Sequence, residues 1–469
     1  MTTIDQHIAE AEGLPVPATR WSAELRELFK LAWPLVLAQL AQNLLFTTDV
    51  VMMGWLGPQY LAAGMLSHAF FFAIQLFGIG IVGAVAPLVS QALGARDIKA
   101  VRRIVQAGFW AGIIFAIIIV PIVWQVRPIM LALGQDPTSA ALAEEFLHFA
   151  VWLIFPALAI IVVRSFLSAH GSTQVILLIT LAGVAVNAAG NYALMFGNWG
   201  FPRLELRGSG ITTTVVSFVM LALMVAYTLA HRKLRRYHVF SRFFAIDWGR
   251  IWQMVRVGVP IGLMLLVEVA LFSTAAFLMG LLGTNEVAAH AIALQVVAMA
   301  FMVPLGLSQA TTVRVGLAYG RGDPEGIRKA GWTALGLTVV FETATCILFV
   351  TMPGAIIPIF LDPHVEANHA ALVLATQYLL IAGVFQLFDG SQATAGAALR
   401  GLTDTMWPLV IAFVGYWCIG MPIAVFLGFN AGWRGAGIWW GLAAGLAAVA
   451  VVLSMRFALR ERLGLLRRR

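Results

Sequence analysis

The sequence predicts an all-α polytopic membrane protein whose twelve transmembrane helices form two six-helix bundles related by a parallel internal repeat. Two observations support this fold class. Of the 469 residues, 61% are hydrophobic and 11% are charged, whereas a typical soluble domain has ~45–50% and ~25%. In addition, a pattern of residues recurs after 226 positions, which indicates a duplicated unit.

Apolar stretches separated by charged or Gly/Pro-rich breaks provide twelve candidate spans. At ~1.5 Å per residue, about 20 residues suffice to cross a ~30 Å hydrocarbon core. The spans lie near residues 28–52, 61–88, 104–125, 142–168, 174–196, 209–230, 251–279, 286–313, 330–352, 369–397, 406–428 and 436–458.

These spans predict five segments. They are a cytoplasmic N-terminal tail at 1–27, an N-lobe at 28–230, a basic cytoplasmic linker at 231–250, a C-lobe at 251–458 and a basic cytoplasmic C-terminal tail at 459–469. In the N-terminal tail, acidic residues and prolines come before any apolar run of the chain. This order differs from that of a cleaved signal peptide, so we expect the tail to be retained and disordered.

Basic residues predict the orientation in the membrane. With the N-terminus inside, four of the 30 Lys and Arg residues fall outside, namely Arg127, Arg203, Arg207 and Arg434. Because Lys and Arg concentrate in cytoplasmic loops, this asymmetry supports an even number of spans and two cytoplasmic termini. The net charge of +8 is then a topology signal, and the scattered basic residues do not predict nucleic-acid binding.

The internal repeat pairs Pro34 with Pro260 and Gly54 with Gly280. Each copy holds six spans, so both copies enter the membrane from the same face, with the substrate site expected near the midplane between them. Each proline removes a backbone donor and is a candidate hinge. A helix-start proline copied by duplication is an equally good explanation.

Four carboxylates lie well inside predicted spans: Asp49, Glu268, Glu342 and Asp389. A charged side chain at such a depth costs at least ~2.5–3.5 kcal/mol, so each one is a candidate functional residue. Counting ~1.5 Å per residue from the nearest inner basic residue places the last three in one layer, roughly 17–20 Å deep. By the same count Asp49 lies roughly 28 Å from Lys30, nearer the outside.

Carboxylates that face one low-dielectric cavity repel each other unless a proton or a metal cation neutralises them. We therefore predict cation binding at Glu268 and Asp389, with Na⁺ as a possible ligand, and at Asp49. The alternative for each is a structural carboxylate held by Ser, Thr or backbone donors. That alternative is the expected one for Glu342, which has two threonines beside it.

Two groups of polar side chains in the first and fifth spans are expected to line a substrate cavity, because polar groups facing lipid are costly. They are Gln39, Gln42 and Asn43, on the same side as Asp49, and Asn187 and Asn191, one turn apart. For the asparagines, interhelical hydrogen bonding alone is an equal alternative.

One motif is misleading. Gly78-Ile-Gly80-Ile-Val-Gly83 matches a dinucleotide-binding fingerprint, but it lies within a span and no strand precedes it. We expect it to allow close helix packing instead.

Several motifs taken together resemble a known family. They are Leu31-Ala-x-Pro34, Ala38-Gln-Leu-Ala-Gln42, Asp49-x-x-Met-x-Gly54, Glu268-Val-x-Leu-Phe and, after Asp389, Ala398-Leu-Arg-Gly401-x-x-Asp404. In these motifs the chain resembles the multidrug and toxic compound extrusion (MATE) transporters of the NorM-like branch. The resemblance covers all twelve spans.

This resemblance implies a MATE/MOP fold and a secondary active antiporter that exports organic cations, drugs or toxins in exchange for Na⁺ or H⁺ by alternating access. It implies Asp49 as the acidic site of the N-lobe and Glu268 with Asp389 as the cation site of the C-lobe. Glu342 lies outside the family pattern, and the additional Asp of the archaeal-type branch, near residues 187–191, is missing. We expect small cationic or amphiphilic substrates, a monomer in the bacterial inner membrane, and no cofactor besides the coupling ion.

Two alternatives are weighed against this prediction. A lipid-linked substrate flippase of a related fold would favour a cavity rich in Arg and Lys, whereas the charges near the middle of the predicted spans are acidic. An intramembrane enzyme would need a paired Asp motif, a nucleophilic Ser with His, or His-Glu-x-x-His. None of these motifs is present, so we expect no enzymatic activity.

Overall fold

The computed structural model describes residues 20–132, 134–241, 243–361 and 364–466. Within these ranges, 12 helices are long and apolar enough to cross a membrane, and there is no strand. The predicted all-α class with twelve spans is confirmed. Residues 1–19 of the predicted N-terminal tail and 467–469 of the C-terminal tail lie outside the described residues.

The helices that could span a membrane are numbered in chain order. They are α1 Trp21–Leu56, α2 Pro58–Gly94, α3 Ile98–Trp124, α4 Pro137–Ala169, α5 Thr173–Phe196, α6 Glu205–Ala230, α7 Trp248–Leu282, α8 Thr284–Arg321, α9 Pro324–Thr351, α10 His369–Gly401, α11 Met406–Asn430 and α12 Arg434–Ala458.

Several of these helices are irregular. A turn at Ala84 interrupts α2, and a 3₁₀ turn at Val151–Leu153 interrupts α4. Helix α11 contains two π-helical segments, Val414–Gly420 and Phe426–Asn430. Because π segments are rare and often occur at functional sites, α11 is the helix in which irregular geometry most directly points to function.

Helix α1 begins earlier than the sequence predicts. The expectation of a disordered tail is wrong for residues 21–27, which form the first turns of α1. Glu24 is only 2% exposed, and its carboxylate accepts two hydrogen bonds from the Arg314 guanidinium in α8, one of them 2.8 Å long. The two partners are 290 residues apart, so no local sequence pattern could reveal the pair.

Residue contacts divide the described chain into two compact units. Unit 1 is Leu37–Gly262, and unit 2 combines residues 20–36 with residues 263–466. Unit 1 therefore holds the later part of α1, helices α2 to α6, the linker and the first part of α7. Unit 2 holds the first part of α1, the rest of α7, and helices α8 to α12.

The units and the predicted lobes share residues 37–230 and 263–458. They differ in the first parts of α1 and α7. Each unit boundary falls two residues after one of the paired prolines, Pro34 and Pro260. Both prolines lie inside continuous helices, so neither is a helix-start proline.

Equivalent glycine contacts occur in the two units. In unit 1, a side chain at Gly80 of α2 would overlap the backbone of Gly262 in α7. In unit 2, a side chain at Gly306 of α8 would overlap Val36 of α1. The repeat offset of 226 positions relates Gly80 to Gly306 and Val36 to Gly262, so the two contacts are equivalent. The repeat is therefore structural, and the glycine motif in α2 serves close helix packing as predicted.

The linker between α6 and α7 packs within unit 1. The Gln106 amide of α3 donates to the backbone carbonyls of Val239 (2.7 Å) and Ser241 (2.8 Å). The Trp110 indole donates to the carbonyl of Phe243 at 2.8 Å. These two side chains therefore hold the linker backbone at Val239, Ser241 and Phe243 against α3 within unit 1.

The core of unit 2 lies among helices α8, α10 and α12. Trp439 of α12 is fully buried, with its ring 5.5 Å from that of Phe385 in α10. His290 of α8 packs against the same indole, with ring centroids 5.4 Å apart. This aromatic cluster packs against α10, which carries Gln386, Asp389 and Gln392 of the polar residues described below.

Candidate functional site

Asp49 of α1 lies in a polar cluster inside unit 1. It is 1% exposed, and its Oδ1 accepts hydrogen bonds from the side-chain amides of Asn187 (2.6 Å) and Asn191 (2.5 Å) in α5. The Thr213 hydroxyl of α6 donates to Oδ2 at 3.2 Å. Three helices thus converge on one carboxylate, and the i, i+4 spacing of the asparagines places both amides on the face that meets α1.

Two acceptor oxygens of this cluster lack a hydrogen-bond donor among the described residues. The Oδ1 atoms of Asn187 and Asn191 are buried and have no hydrogen-bond partner among the described residues. Buried polar groups normally have partners, so unpartnered oxygens around a carboxylate call for an explanation. Carbonyl and carboxylate oxygens in one cluster are suitable ligands for a small hard cation or partners for a proton. The arrangement can therefore hold a cation.

Gln39 and Gln42 belong to a different group. Their side-chain oxygens accept hydrogen bonds from the guanidinium of Arg164 in α4, at 2.5 Å and 3.4 Å. Asn43 is half-buried on the same helix. The polar stripe predicted along α1 is therefore divided, because its early part meets a cation of α4 and its end at Asp49 meets α5 and α6.

Glu268 of α7 starts a chain of hydrogen bonds in unit 2. Its Oε1 accepts from the Gln392 amide of α10 at 3.2 Å, and Gln392 Oε1 accepts from the Tyr416 hydroxyl of α11 at 2.9 Å. Gln392 and Tyr416 are buried. The phenol thereby fixes which way the amide points, and the amide presents its donor to the carboxylate.

Asp389 lies close to Glu268. It is 4% exposed, its Oδ1 has no partner among the described residues, and its charge interacts with those of Glu268 and Glu342. Arg400, near the end of α10, interacts electrostatically with Glu268. The structure thus brings together in unit 2 the three carboxylates that the depth count placed in one layer.

The π-helical segment of α11 positions Tyr416. A π segment inserts an additional residue into a helical turn and shifts the side chains that follow it. Gly415 and Gly420 within this segment pack against the backbone of Gly445 in α12. Helix α11 therefore packs closely against α12 through these glycines, while its Tyr416 hydroxyl donates to Gln392 of α10.

Glu342 of α9 is fully buried. Its carboxylate accepts hydrogen bonds from the Thr345 hydroxyl (3.2 Å) and the Gln386 amide of α10 (3.4 Å). Thr345 is the local partner that the sequence suggested, whereas Gln386 is 44 positions away.

Five residues of these clusters are not predicted from the sequence, because they are neither buried carboxylates nor paired amides. They are Arg164, Thr213, Gln386, Gln392 and Tyr416. Gln392 carried a usable signal, since it lies three positions after Asp389 and so on a neighbouring helical face. Tyr416 carried none, because hydropathy patterns do not predict a π segment.

Comparison with known families decides what kind of protein carries these clusters. The sequence profile of the MatE family matches residues 34–193 and 260–426. The chain belongs to the MatE family. The two MatE matches begin at the paired prolines Pro34 and Pro260, so each copy of the repeat corresponds to one MatE unit.

Curated MatE relatives cover nearly the whole chain. A probable multidrug resistance protein NorM of Mesorhizobium japonicum is 43% identical over 453 residues, which are 96% of this chain and 97% of that protein. The NorM relative of Brucella suis is 41% identical, and the match covers 94% of each chain. This MatE protein is therefore a multi-pass membrane transporter of the multidrug efflux type and is not an enzyme.

Solved structures have the same MatE fold. The bent form of the MATE transporter VcmN from Vibrio cholerae has a TM-score of 0.85 at 18% identity, covering 96% of this chain and 100% of that chain. A eukaryotic MATE transporter has a TM-score of 0.83 at 18% identity, covering 95% of this chain and 100% of that chain. At such low identity the likeness concerns the fold alone.

Proposed function

We propose that this transporter is a secondary active antiporter that exports organic cations, drugs or toxins in exchange for Na⁺ or H⁺ by alternating access. The observation that carries the proposal is the pair of interacting carboxylates in unit 2, Glu268 and Asp389, where one oxygen of Asp389 is buried without a donor. Two such charges in low dielectric are stabilised by a bound cation.

Exchange follows from electrostatic competition. A cationic substrate is attracted while the carboxylates are charged, and the attraction is lost once protons or Na⁺ neutralise them. The coupling ion and the substrate therefore exclude each other, as antiport requires. Moving one net charge across a 100 mV potential is worth ~2.3 kcal/mol, so the exchange ratio determines how much the membrane potential contributes.

Asp49 provides a second candidate cation site in the same scheme. Its partners are the neutral amides Asn187 and Asn191 and the hydroxyl of Thr213. With no cationic side chain among these partners, a coupling ion at Asp49 would compensate the carboxylate charge. We propose Gln39, Gln42 and Asn43 as polar residues of the substrate path on α1.

The two prolines are proposed hinges. Pro34 and Pro260 each lie two residues before a boundary between the contact-defined units, inside a helix whose parts belong to different units. A proline leaves the carbonyl four residues before it without its usual helical partner, which lowers the cost of bending there.

The relatives and the charge distribution support three further proposals. NorM relatives are named as multidrug resistance proteins, which supports small cationic or amphiphilic substrates. The excess of Lys and Arg in the predicted inner loops supports an inner-membrane protein of bacteria with both termini in the cytoplasm. We propose that it functions as a monomer.

Transport by the purified protein in proteoliposomes tests the antiport. Either a Na⁺ gradient or a pH gradient is imposed, and release of a cationic dye is measured for the wild type, Asp389→Asn and Glu268→Gln. We expect one of the gradients to drive transport, and each substitution to slow it by about tenfold or more, equivalent to ~1.4 kcal/mol.

Glu325→Gln is the matched control, because this glutamate is exposed at the start of α9 and pairs with Arg328. It should transport at the wild-type rate. Wild-type rates in both Asp389→Asn and Glu268→Gln would refute the proposed role of these carboxylates. Transport of a lipid-linked anion in place of the dye would favour the flippase alternative.

A further inference from the structure

Glu342 is a buried carboxylate that the proposed exchange does not use. It lies in the middle of α9, is 0% exposed, and turns its carboxylate towards α10. Its hydrogen-bond donors are the Thr345 hydroxyl at 3.2 Å and the Gln386 amide at 3.4 Å. Both are neutral, so they satisfy lone pairs without compensating the charge.

Helices α9 and α10 enclose this carboxylate. Gly390 of α10 leaves the space that Glu342 Oε1 occupies, because any side chain at position 390 would overlap it. One turn away, the hydroxyls of Thr338 and Thr394 share a hydrogen bond of 2.9 Å. Gly383 packs against Cys346 further along the same two helices. The carboxylate therefore cannot reach solvent without separation of α9 from α10.

Among the described residues, no positive charge acts on Glu342, and its two donors are neutral. Gln386 is fully buried, and its Oε1 has no partner among the described residues, although its nitrogen donates to Glu342. Asp389, next to Gly390, also has a buried oxygen without a partner, and its charge interacts with Glu342. Glu342, Gln386 and Asp389 thus all contribute acceptor oxygens, and a bound cation would provide the missing partner.

Other titratable groups do not supply that charge. Among the described residues, the titratable groups that interact with Glu342 or Asp389 are Glu268 of α7, the Tyr416 phenol of α11 and the Cys346 thiol, one turn along α9. Arg400 interacts with Glu268, on the other side of the cluster. An isolated buried carboxylate is strongly unfavourable unless it binds a proton or a metal cation.

We propose that Glu342, with Gln386 and Thr345, forms a second monovalent-cation position in unit 2, which binds H⁺ or Na⁺ and is coupled to the Glu268–Asp389 site through Asp389. This inference rests on the proposed antiport and extends it. Unit 2 then holds at least two coupling ions. Filling the Glu342 position removes one negative charge beside Asp389, so occupancy of the two positions is linked.

Counting bound cations in the drug-free protein tests the proposal. Full-length transporter in lipid nanodiscs is measured in two arms. Infrared difference spectra follow the carbonyl band of protonated carboxylic acids as the pH is raised, and equilibrium dialysis with labelled Na⁺ counts sodium at fixed pH. The variants are Glu342→Gln, which keeps the shape of the side chain, and the exposed control Glu325→Gln on the same helix.

We expect Glu342→Gln to lose one bound cation relative to the wild type, and Glu325→Gln to lose none. Loss of a carboxylic-acid band identifies the cation as H⁺, and loss of one sodium identifies it as Na⁺. Unchanged counts in both arms would overturn the proposal. If Glu342→Gln does not fold, Glu342→Met, which fills similar volume without a polar atom, is measured against the same expectation.

Transport assays separate this proposal from the antiport itself. If Asp389→Asn abolishes ion-driven transport while Glu342→Gln binds as many cations as the wild type, the second position is refuted and the antiport stands. If Asp389→Asn and Glu268→Gln transport normally, the antiport fails whatever the count at Glu342.

Discussion

Tyr416 shows how a neutral side chain can control a buried carboxylate. Its hydroxyl is the donor to Gln392 Oε1, which leaves the amide nitrogen to face Glu268. Without the hydroxyl, the amide could turn and present its oxygen to the carboxylate. The phenol is a positioning group, since its hydrogen bond is to Gln392, which in turn donates to Glu268.

Replacing Tyr416 by Phe should weaken the response to the coupling ion. A buried hydrogen bond contributes ~0.5–1.5 kcal/mol, so the ion concentration for half-maximal exchange should rise by about two- to tenfold. The maximal rate should change less, because both carboxylates remain. Proteoliposome transport at a series of ion concentrations measures both quantities. Tyr192→Phe, at an exposed position of α5, should behave as the wild type, and an equal shift in both variants would contradict the assignment.

His170 is the residue from which acid sensitivity is expected. It lies between α4 and α5, with its ring 4.6 Å from that of Tyr237 in the linker. Burial lowers the pKa of His170 to about 4, a hydrogen bond to the Phe166 carbonyl opposes the shift, and nearby Arg236 adds to it. The folded protein therefore keeps this imidazole neutral at pH values where an unfolded histidine, with a pKa near 6.5, is protonated.

The sign of the effect follows from that difference. The stability contributed by neutral His170 is complete above pH ~6.5 and is lost progressively as the pH falls towards 4. Replacement by Phe preserves the ring packing and removes the titration, so the thermal midpoint of His170→Phe should decrease less between pH 6.5 and 4.5 than that of the wild type. The exposed His369→Phe serves as control. Parallel pH profiles for all three proteins would show that His170 does not contribute.

At the scale of single residues, the sequence identified the carboxylates and the amides of Asn187 and Asn191, but not which side chains pair with which. The cost of burying charge marks Asp49, Glu268, Glu342 and Asp389 without any structural information. The partners are amides and hydroxyls, which are common in every span, so the pairing between helices carries no distinctive signal. Gln392 and Thr213 therefore required the structure.

Among the helices, α1 depends on a contact distant in sequence. Its first turns belong to unit 2, where Glu24 pairs with Arg314. Both side chains are at most 6% exposed, so neither charge has water as an alternative partner. The pair therefore fixes the first turns of α1 to α8.

Removing one member of this pair should destabilise the protein strongly. Arg314→Met leaves Glu24 buried and unpaired, which typically costs ~3–5 kcal/mol, whereas replacing both residues by apolar ones is often neutral. Thermal unfolding in detergent should therefore show a low midpoint for Arg314→Met and a largely restored one for Arg314→Met with Glu24→Leu. Arg207→Met, which breaks an exposed pair with Glu145, should change stability by no more than ~1 kcal/mol.

Helix positions were predictable because apolar length is a direct requirement of a bilayer. The first turns of α1 were missed because their charged residues, including Glu24 and Arg26, interrupt the apolar pattern. The π segments of α11 were missed because they change hydrogen bonding without changing hydropathy. Charge pairing and backbone irregularity are tertiary effects, which a hydropathy window does not detect.

For the whole molecule, the duplication predicted two equivalent sets of six helices. It could not show that the first parts of α1 and α7 each belong to the unit of the other copy, since composition does not specify which neighbours a helix contacts. The first part of α7 contacts α2 through Gly262 and Gly80, and the first part of α1 contacts α8 through Val36 and Gly306. Each copy of the repeat thus exchanges the first part of its first helix with the other copy.

Dividing the chain in the linker should therefore leave both halves incomplete. Fragment 1–246 lacks the first part of α7, which belongs to unit 1, and fragment 247–469 lacks the first part of α1, which belongs to unit 2. Expressed separately, each fragment should be degraded or aggregate. Expressed together, they should restore dye export in cells. Stable, monodisperse accumulation of fragment 1–246 alone would contradict the exchanged arrangement.

The exchange also orders events during translation. Residues 20–36 leave the ribosome early, yet Gly306 and Arg314, their partners in α8, are synthesised 270 to 290 residues later. Unit 1 in turn remains open until the start of α7 has been inserted. Membrane insertion of α7 is thus the step that completes unit 1, and a translational pause just after that point would give unit 1 time to close before α8 to α12 complete unit 2.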